Sequence, residues 1–174
     1  IVTNENNVIN LDKRGKMVKG WKYNSNNLNI TNKPSYFNIN DKDYILIENK
    51  NSNSKLLAIN GSDRVNFKDS FEFNSNQMQI DNDGTLYAIT TKGKLWRGFL
   101  DGSSSNISIP NLDMNSHFII ASRNVSDSTI NTNNEILIYS NDYQLFFIDL
   151  LNFNSIKKLN FEDKIVKINN INNL

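Results

Sequence analysis

Thr85-Leu86-Tyr87-Ala88-Ile89-Thr90-Thr91-Lys92-Gly93-Lys94-Leu95-Trp96-Arg97 decides the fold. Two short apolar runs flank a turn that carries Gly93, so the stretch reads as a tight β-hairpin. The pattern returns at Tyr44–Asn60 and Glu135–Leu150, and more faintly at Ile1–Lys13. Aligning the runs on Val2, Leu46, Leu86 and Leu137 gives a period of roughly 40–50 residues, the length of a four-stranded propeller blade.

The runs are continuous rather than alternating. Tyr44-Ile45-Leu46-Ile47, Leu56-Leu57-Ala58-Ile59, Ile136-Leu137-Ile138-Tyr139 and Leu145-Phe146-Phe147-Ile148 carry no polar residue. A sheet with one wet face alternates apolar and polar side chains, so these strands must be covered on both faces. Blades leaning on one another supply that cover. Later strands such as Ile156-Lys157-Lys158-Leu159-Asn160 are more polar, as suits an edge kept from pairing with other chains.

The expected fold is therefore all-β: a β-propeller of about four four-stranded antiparallel blades, or part of a larger one. The chain reads as one domain over 1–174. Blade segments fall at about 1–23, 34–73, 77–109 and 117–160. Ile1–Asn4, Val8–Asp12 and Lys16–Tyr23 are expected as strands, as is Ser70–Phe73. A strand at Lys164–Asn169 either joins the Ile1–Tyr23 sheet or begins another blade. The longest insertion, Asn124–Asn134, is polar and reads as a contact loop.

Composition narrows the function classes. Of 174 residues, 38% are hydrophobic and 21% charged, too apolar for disorder. No apolar run nears the ~18 residues of a membrane helix. The net charge of +1 lacks the basic excess of a nucleic-acid binder, so no nucleic-acid partner is expected. Cysteine is absent, which removes disulfides, thiolate metal sites and a cysteine nucleophile. Asn supplies 34 residues, scattered among turns it suits well, although a bias toward AT-rich codons accounts for it equally. The opening Ile1-Val2-Thr3-Asn4 shows no signal-peptide pattern and starts inside a strand pattern without Met, so the chain reads as a fragment or processed piece.

Val8-Ile9-Asn10-Leu11-Asp12-Lys13-Arg14-Gly15-Lys16 and Leu86–Leu95 resemble the hairpins of PQQ-like and WD40-like propellers. Gly20-Trp21-Lys22, Pro34-Ser35-Tyr36-Phe37 and Lys42-Asp43-Tyr44-Ile45 are similar to envelope propeller proteins of the Bacteroidetes group. The Gly-His and Trp-Asp signatures of WD40 repeats are missing. So are the spaced Trp repeats of quinoprotein dehydrogenases, and bound PQQ is not expected. The resemblance implies a platform in the cell envelope or outside the cell.

Candidate chemistry is sparse. Asp81-Asn82-Asp83-Gly84 offers alternating oxygen ligands at Asp81 and Asp83, as a calcium loop begins. A hairpin turn explains the same residues, since Asp-Gly supplies positive φ. Trp21 and Trp96 each follow a Gly or Gly-Lys turn, and either ring could stack on a sugar or pack between blades. Asp41, Asp43 and Glu48 on one hairpin could serve as glycosidase carboxylates, or be ordinary surface acids. His117, the only histidine, opens an apolar strand with no Gly-x-Ser-x-Gly elbow in the chain. No catalytic residue and no cofactor are assigned. The expected function is a non-enzymatic protein-binding or assembly scaffold. The alternatives are a glycan-binding propeller using Trp21 or Trp96, and a propeller hydrolase.

Overall fold

The computed structural model describes residues 1–3, 5, 7–24, 30, 33–48, 54–67, 78–123 and 134–168. These residues form three four-stranded antiparallel sheets and no helix. The first sheet holds β1 (Ser35–Ile39), β2 (Lys42–Ile47), β3 (Lys55–Leu57) and β4 (Asp63–Val65). The second holds β5 (Gln79–Ile80), β6 (Leu86–Ile89), β7 (Leu95–Gly98) and β8 (Ser104–Ile107). The third holds β9 (Phe118–Arg123), β10 (Asn134–Asn141), β11 (Gln144–Asp149) and β12 (Ser155–Asn160). Within each sheet every strand pairs with its sequence neighbour, and the sheets stay open.

One turn recurs through the chain. Thr90 N–H donates to the Lys94 carbonyl at 2.9 Å, and Gly93 N–H donates back to the Thr90 carbonyl at 2.9 Å. The same two bonds close Asp12–Lys16, Ala58–Ser62, Asp81–Thr85 and Phe99–Ser103. In all five, glycine stands three residues after the first and has φ between 69° and 85°. That left-handed conformation is nearly free for glycine and strained for most other residues. The β1–β2 turn differs: Asn40 and Asp41 both have positive φ, at 50° and 60°. Two such residues make the type I′ turn that matches strand twist.

The continuous runs split between two neighbours, because successive side chains on a strand point to opposite faces. Tyr44, Leu46 and Leu56 of the first sheet pack with Leu86, Ala88 and Trp96 of the second. Tyr87, Ile89 and Leu95, on the other face of the second sheet, pack with Leu137, Tyr139, Phe146 and Ile148 of the third. Ile45, Ile47 and Leu57, behind the first sheet, meet Val8 with Val2, Trp21, Tyr23 and Ile30. The order is thus N-terminal segment, first sheet, second sheet, third sheet. Burying one such aliphatic side chain is worth about 1.5–3 kcal/mol.

Two expected elements differ. The segment 1–23 contributes only isolated bridges, Val2 to Val8 and Leu11 to Met17, in place of three strands. Its apolar residues are too few and too widely spaced by Asn, Lys and Gly to face a sheet along a whole strand. Residues 164–168 form no strand and do not join that segment. Ile165 N–H donates instead to the Asp142 carbonyl at 2.7 Å, and Lys164 Nζ reaches Asp142 Oδ1 at 2.8 Å. The Ser70–Phe73 strand and residues 124–133 of the expected insertion lie outside the described residues.

Candidate functional site

Asp81, Tyr87 and Glu135 meet at the seam between the second and third sheets. Asp81 opens one of the five recurrent turns and is 8% exposed. Its Oδ1 accepts the Asp83 and Thr85 amides at 3.0 and 2.8 Å, and its Oδ2 accepts the Tyr87 hydroxyl at 3.0 Å. Glu135 reaches across from β10, and its Oε1 accepts the Asn82 amide at 3.2 Å. The Asp81 carboxyl lies near enough to act on that of Glu135. Burial first, then Asp81, push Glu135 up to about 8. Burial and the same Asp81 raise the Tyr87 hydroxyl far above its ordinary range.

This knot is a hydrogen-bonded clamp between the second and third sheets. Both Asp81 oxygens are taken up by donors of its own turn and of Tyr87, whereas a glycosidase pair stands ~5–10 Å apart with a sugar or a water between. Asp81 and Asp83, the candidate start of a calcium loop, lie in the recurrent turn, where both Asp81 oxygens accept N–H or O–H donors. Among the described residues no group of three or more His, Cys, Asp or Glu could hold a metal ion.

Trp96 is 0% exposed between the first and second sheets, with the Phe67 ring edge-on at 5.2 Å. It offers no face to a sugar, and packing between sheets is its role. Trp21 is half-buried on the back of the first sheet, and its indole N–H donates to the Val8 carbonyl at 3.0 Å. The two rings lie in different clusters and form no common site. Asp43 accepts the Tyr36 hydroxyl at 2.6 Å and Asn38 Nδ2 at 3.0 Å. These bonds, Tyr36 first, lower the Asp43 carboxyl and raise the Tyr36 hydroxyl. Glu48 lies five residues on, about 16 Å along the chain at ~3.3 Å per residue, and accepts the Met78 amide at 3.3 Å. Those two carboxylates do not converge.

A polar cavity of about 530 Å³ opens at the end of the third sheet. Asp113, Ser116, His117, Ser140, Asp142 and Lys164 are among its lining residues. Ser140 N–H donates to the His117 carbonyl at 2.9 Å, which puts both side chains on one face of the sheet. The segment carrying Lys164 folds over that end: Phe161 N–H donates to the Tyr143 carbonyl at 2.8 Å, beside the Lys164–Asp142 pair. Reading the sequence singled out His117 but not its neighbours. The cavity unites residues from 113 to 166, and no local motif marks such a set.

No family model matches the chain, and no curated protein matches it. No helix among the described residues is long and apolar enough to cross a membrane.

Proposed function

We propose that the three sheets are blades of a β-propeller and that the chain is a protein-binding or assembly scaffold rather than an enzyme. One observation carries this reading. The same meander is built three times, and each sheet packs an apolar face on the next, while among the described residues the far face of the third joins none of the buried clusters. A repeat of apolar-faced sheets is suited to hold another body against such a face. Affinity capture with the intact chain tests it: one reproducible protein partner, released by Ile138→Lys in the far face, is the expected result. Hydrolytic turnover by the purified chain without any stable partner would overturn it.

A second reading, glycan binding, now draws on the polar cavity rather than on Trp96. Its carboxylates, hydroxyls, imidazole and ammonium group supply the mixture of donors and acceptors that a sugar's hydroxyls need. Glycan-array binding abolished by His117→Ala, with the fold retained, is the result this reading requires. An array blank at every concentration removes it.

A further inference from the structure

The polar cavity at the end of the third sheet leaves hydrogen-bonding capacity unspent. Asp113 Oδ1 accepts the Asn115 amide at 2.7 Å, and the Asp113 amide donates to Ser116 Oγ at 3.1 Å. These bonds fix the carboxyl at the cavity, yet its second oxygen meets no donor among the described residues. Asn141 Nδ2 donates to the Asn111 carbonyl at 3.3 Å, which leaves the amide oxygen open. Ser140 is 2% exposed, and its hydroxyl has no partner among the described residues and is not sealed from solvent. The His117 imidazole, across the strand pair on the same face, is likewise unpaired there.

The leftover atoms have a bias. Carboxylate and amide oxygens only accept, so Asp113 and Asn141 ask for donors. Lys164 and Asp142, 2.8 Å apart, offset one another's charge, whereas Asp113 is in no ion pair among the described residues. An ammonium group answers both demands, because it brings three donors and a positive charge. The remaining donors are the Ser140 hydroxyl, an imidazole N–H and the Lys164 ammonium, which suit hydroxyl oxygens. Ile165 and Val166 add an apolar wall to the same cavity. Its volume of about 530 Å³ falls in the range of ~300–1,000 Å³ that small-ligand sites occupy.

We infer that this cavity binds a sugar that carries a free amino group, with the ammonium on Asp113. The inference rests on the glycan reading above and narrows it from sugars in general to amino sugars. Ser140, His117 and Asn141 take the ring hydroxyls, and a C–H face of the ring lies on Ile165. A neutral hexose leaves Asp113 without a cation. An N-acetylated one offers a single uncharged donor in place of three charged ones. A plain alkylamine meets Asp113 but leaves the hydroxyl partners empty.

NMR titration of the intact chain with three disaccharides of one skeleton tests this: the β-1,4 dimer of glucosamine, its N,N′-diacetyl form and cellobiose. The glucosamine dimer should bind about tenfold more tightly than either of the others at low salt, as one charge-assisted contact allows. It should also bind more tightly than n-butylamine, and it should move the amide signals of Asn115, Ser140 and Ile165. Asp113→Asn keeps an oxygen for the Asn115 amide, so the turn stays closed, and it should bring the glucosamine dimer level with cellobiose. In the wild type the preference should shrink toward about 1 M salt, where charges are screened within a few ångströms. Equal binding of the three disaccharides, a preference that survives Asp113→Asn or is indifferent to salt, n-butylamine binding as well as the sugar, or signals that move only elsewhere would each overturn the inference. Equal binding of the disaccharides leaves the glycan reading standing, whereas a titration in which no sugar binds removes both.

Discussion

Trp96 lies against Gly98, two residues along the same strand face, so closely that a Cβ on the glycine would fall 2.1 Å from the indole Cη2. The glycine is there to make room for the ring. Its φ is ordinary, so the demand is for space alone. Gly98→Ala must push the indole out of a fully buried slot between two sheets. Overpacking of this kind costs about 1–3 kcal/mol, and urea denaturation followed by Trp fluorescence should show a lower midpoint with unchanged slope. A midpoint equal to the wild type would mean that the indole has somewhere else to go.

The recurrent turn allows a graded comparison. Gly15 and Gly102 have φ of +76° and +84°, but a Cβ at Gly15 meets nothing within 4 Å. At Gly102 it would fall 2.6 Å from the Asn66 carbonyl oxygen. Gly15→Ala should therefore cost only the left-handed conformation, roughly 1 kcal/mol. Gly102→Ala should cost clearly more, because backbone must also move. Thermal unfolding of the two variants side by side checks the order.

The Glu135–Asp81 clamp makes stability depend on pH in a direction opposite to most carboxylates. Glu135 is raised from 4.5 to about 8 by burial and by Asp81. Below pH 4.5 it is protonated in both folded and unfolded chains, and the clamp is at full strength. Between pH 4.5 and 8 the unfolded chain releases the proton while the folded chain keeps it. Stability from this group therefore falls as pH rises through that window and levels off above it. The slope is at most about 1.4 kcal/mol per pH unit, and less here because the pair is partly solvated. Glu135→Gln keeps a hydrogen-bonding group without the titration. It should flatten the slope and raise the urea midpoint at pH 8–9 relative to wild type. A wild-type profile flat from pH 5 to 8 would remove the clamp.

Tyr139 gives a simpler case. Its ring is fully buried and stacked on Phe146 at 4.9 Å, and its hydroxyl donates to the Pro110 carbonyl at 2.5 Å. Burial pushes that hydroxyl up to about 12. Tyr139→Phe leaves the stack and removes the hydrogen bond, at a cost of about 0.5–1.5 kcal/mol. The variant should keep its near-ultraviolet spectrum and unfold at lower urea.

What could be read from the chain was whatever nearest neighbours determine. Leu86-Tyr87-Ala88-Ile89 has no polar residue because Leu86 and Ala88 face one sheet while Tyr87 and Ile89 face another. The glycine of each turn is likewise a local requirement, visible in Asp81–Thr85 and Thr90–Lys94. Glu135 was not legible, since a lone acid at the start of a strand looks like a surface residue until Asp81, 54 positions earlier, is brought beside it. The cavity around His117 was hidden for the same reason. Ile1–Asn4 and Val8–Asp12 misled in the opposite sense: their apolar residues suit a strand, but only Val2 and Val8 find a partner sheet. Trp96 follows Lys94 and precedes Arg97 within a few residues, and its burial comes from the first sheet packing over it.

Strict pairing of each strand with its sequence neighbour, seen in all three sheets, bears on how the chain acquires its structure. Contact order stays low for an all-β protein, so closing a hairpin costs little loop entropy and any of the three meanders can nucleate first. Growth then spreads by nearest-neighbour docking, as in a one-dimensional array. Destabilising the third sheet should accordingly fray that end alone, and leave the first two sheets protected against exchange long after it has opened.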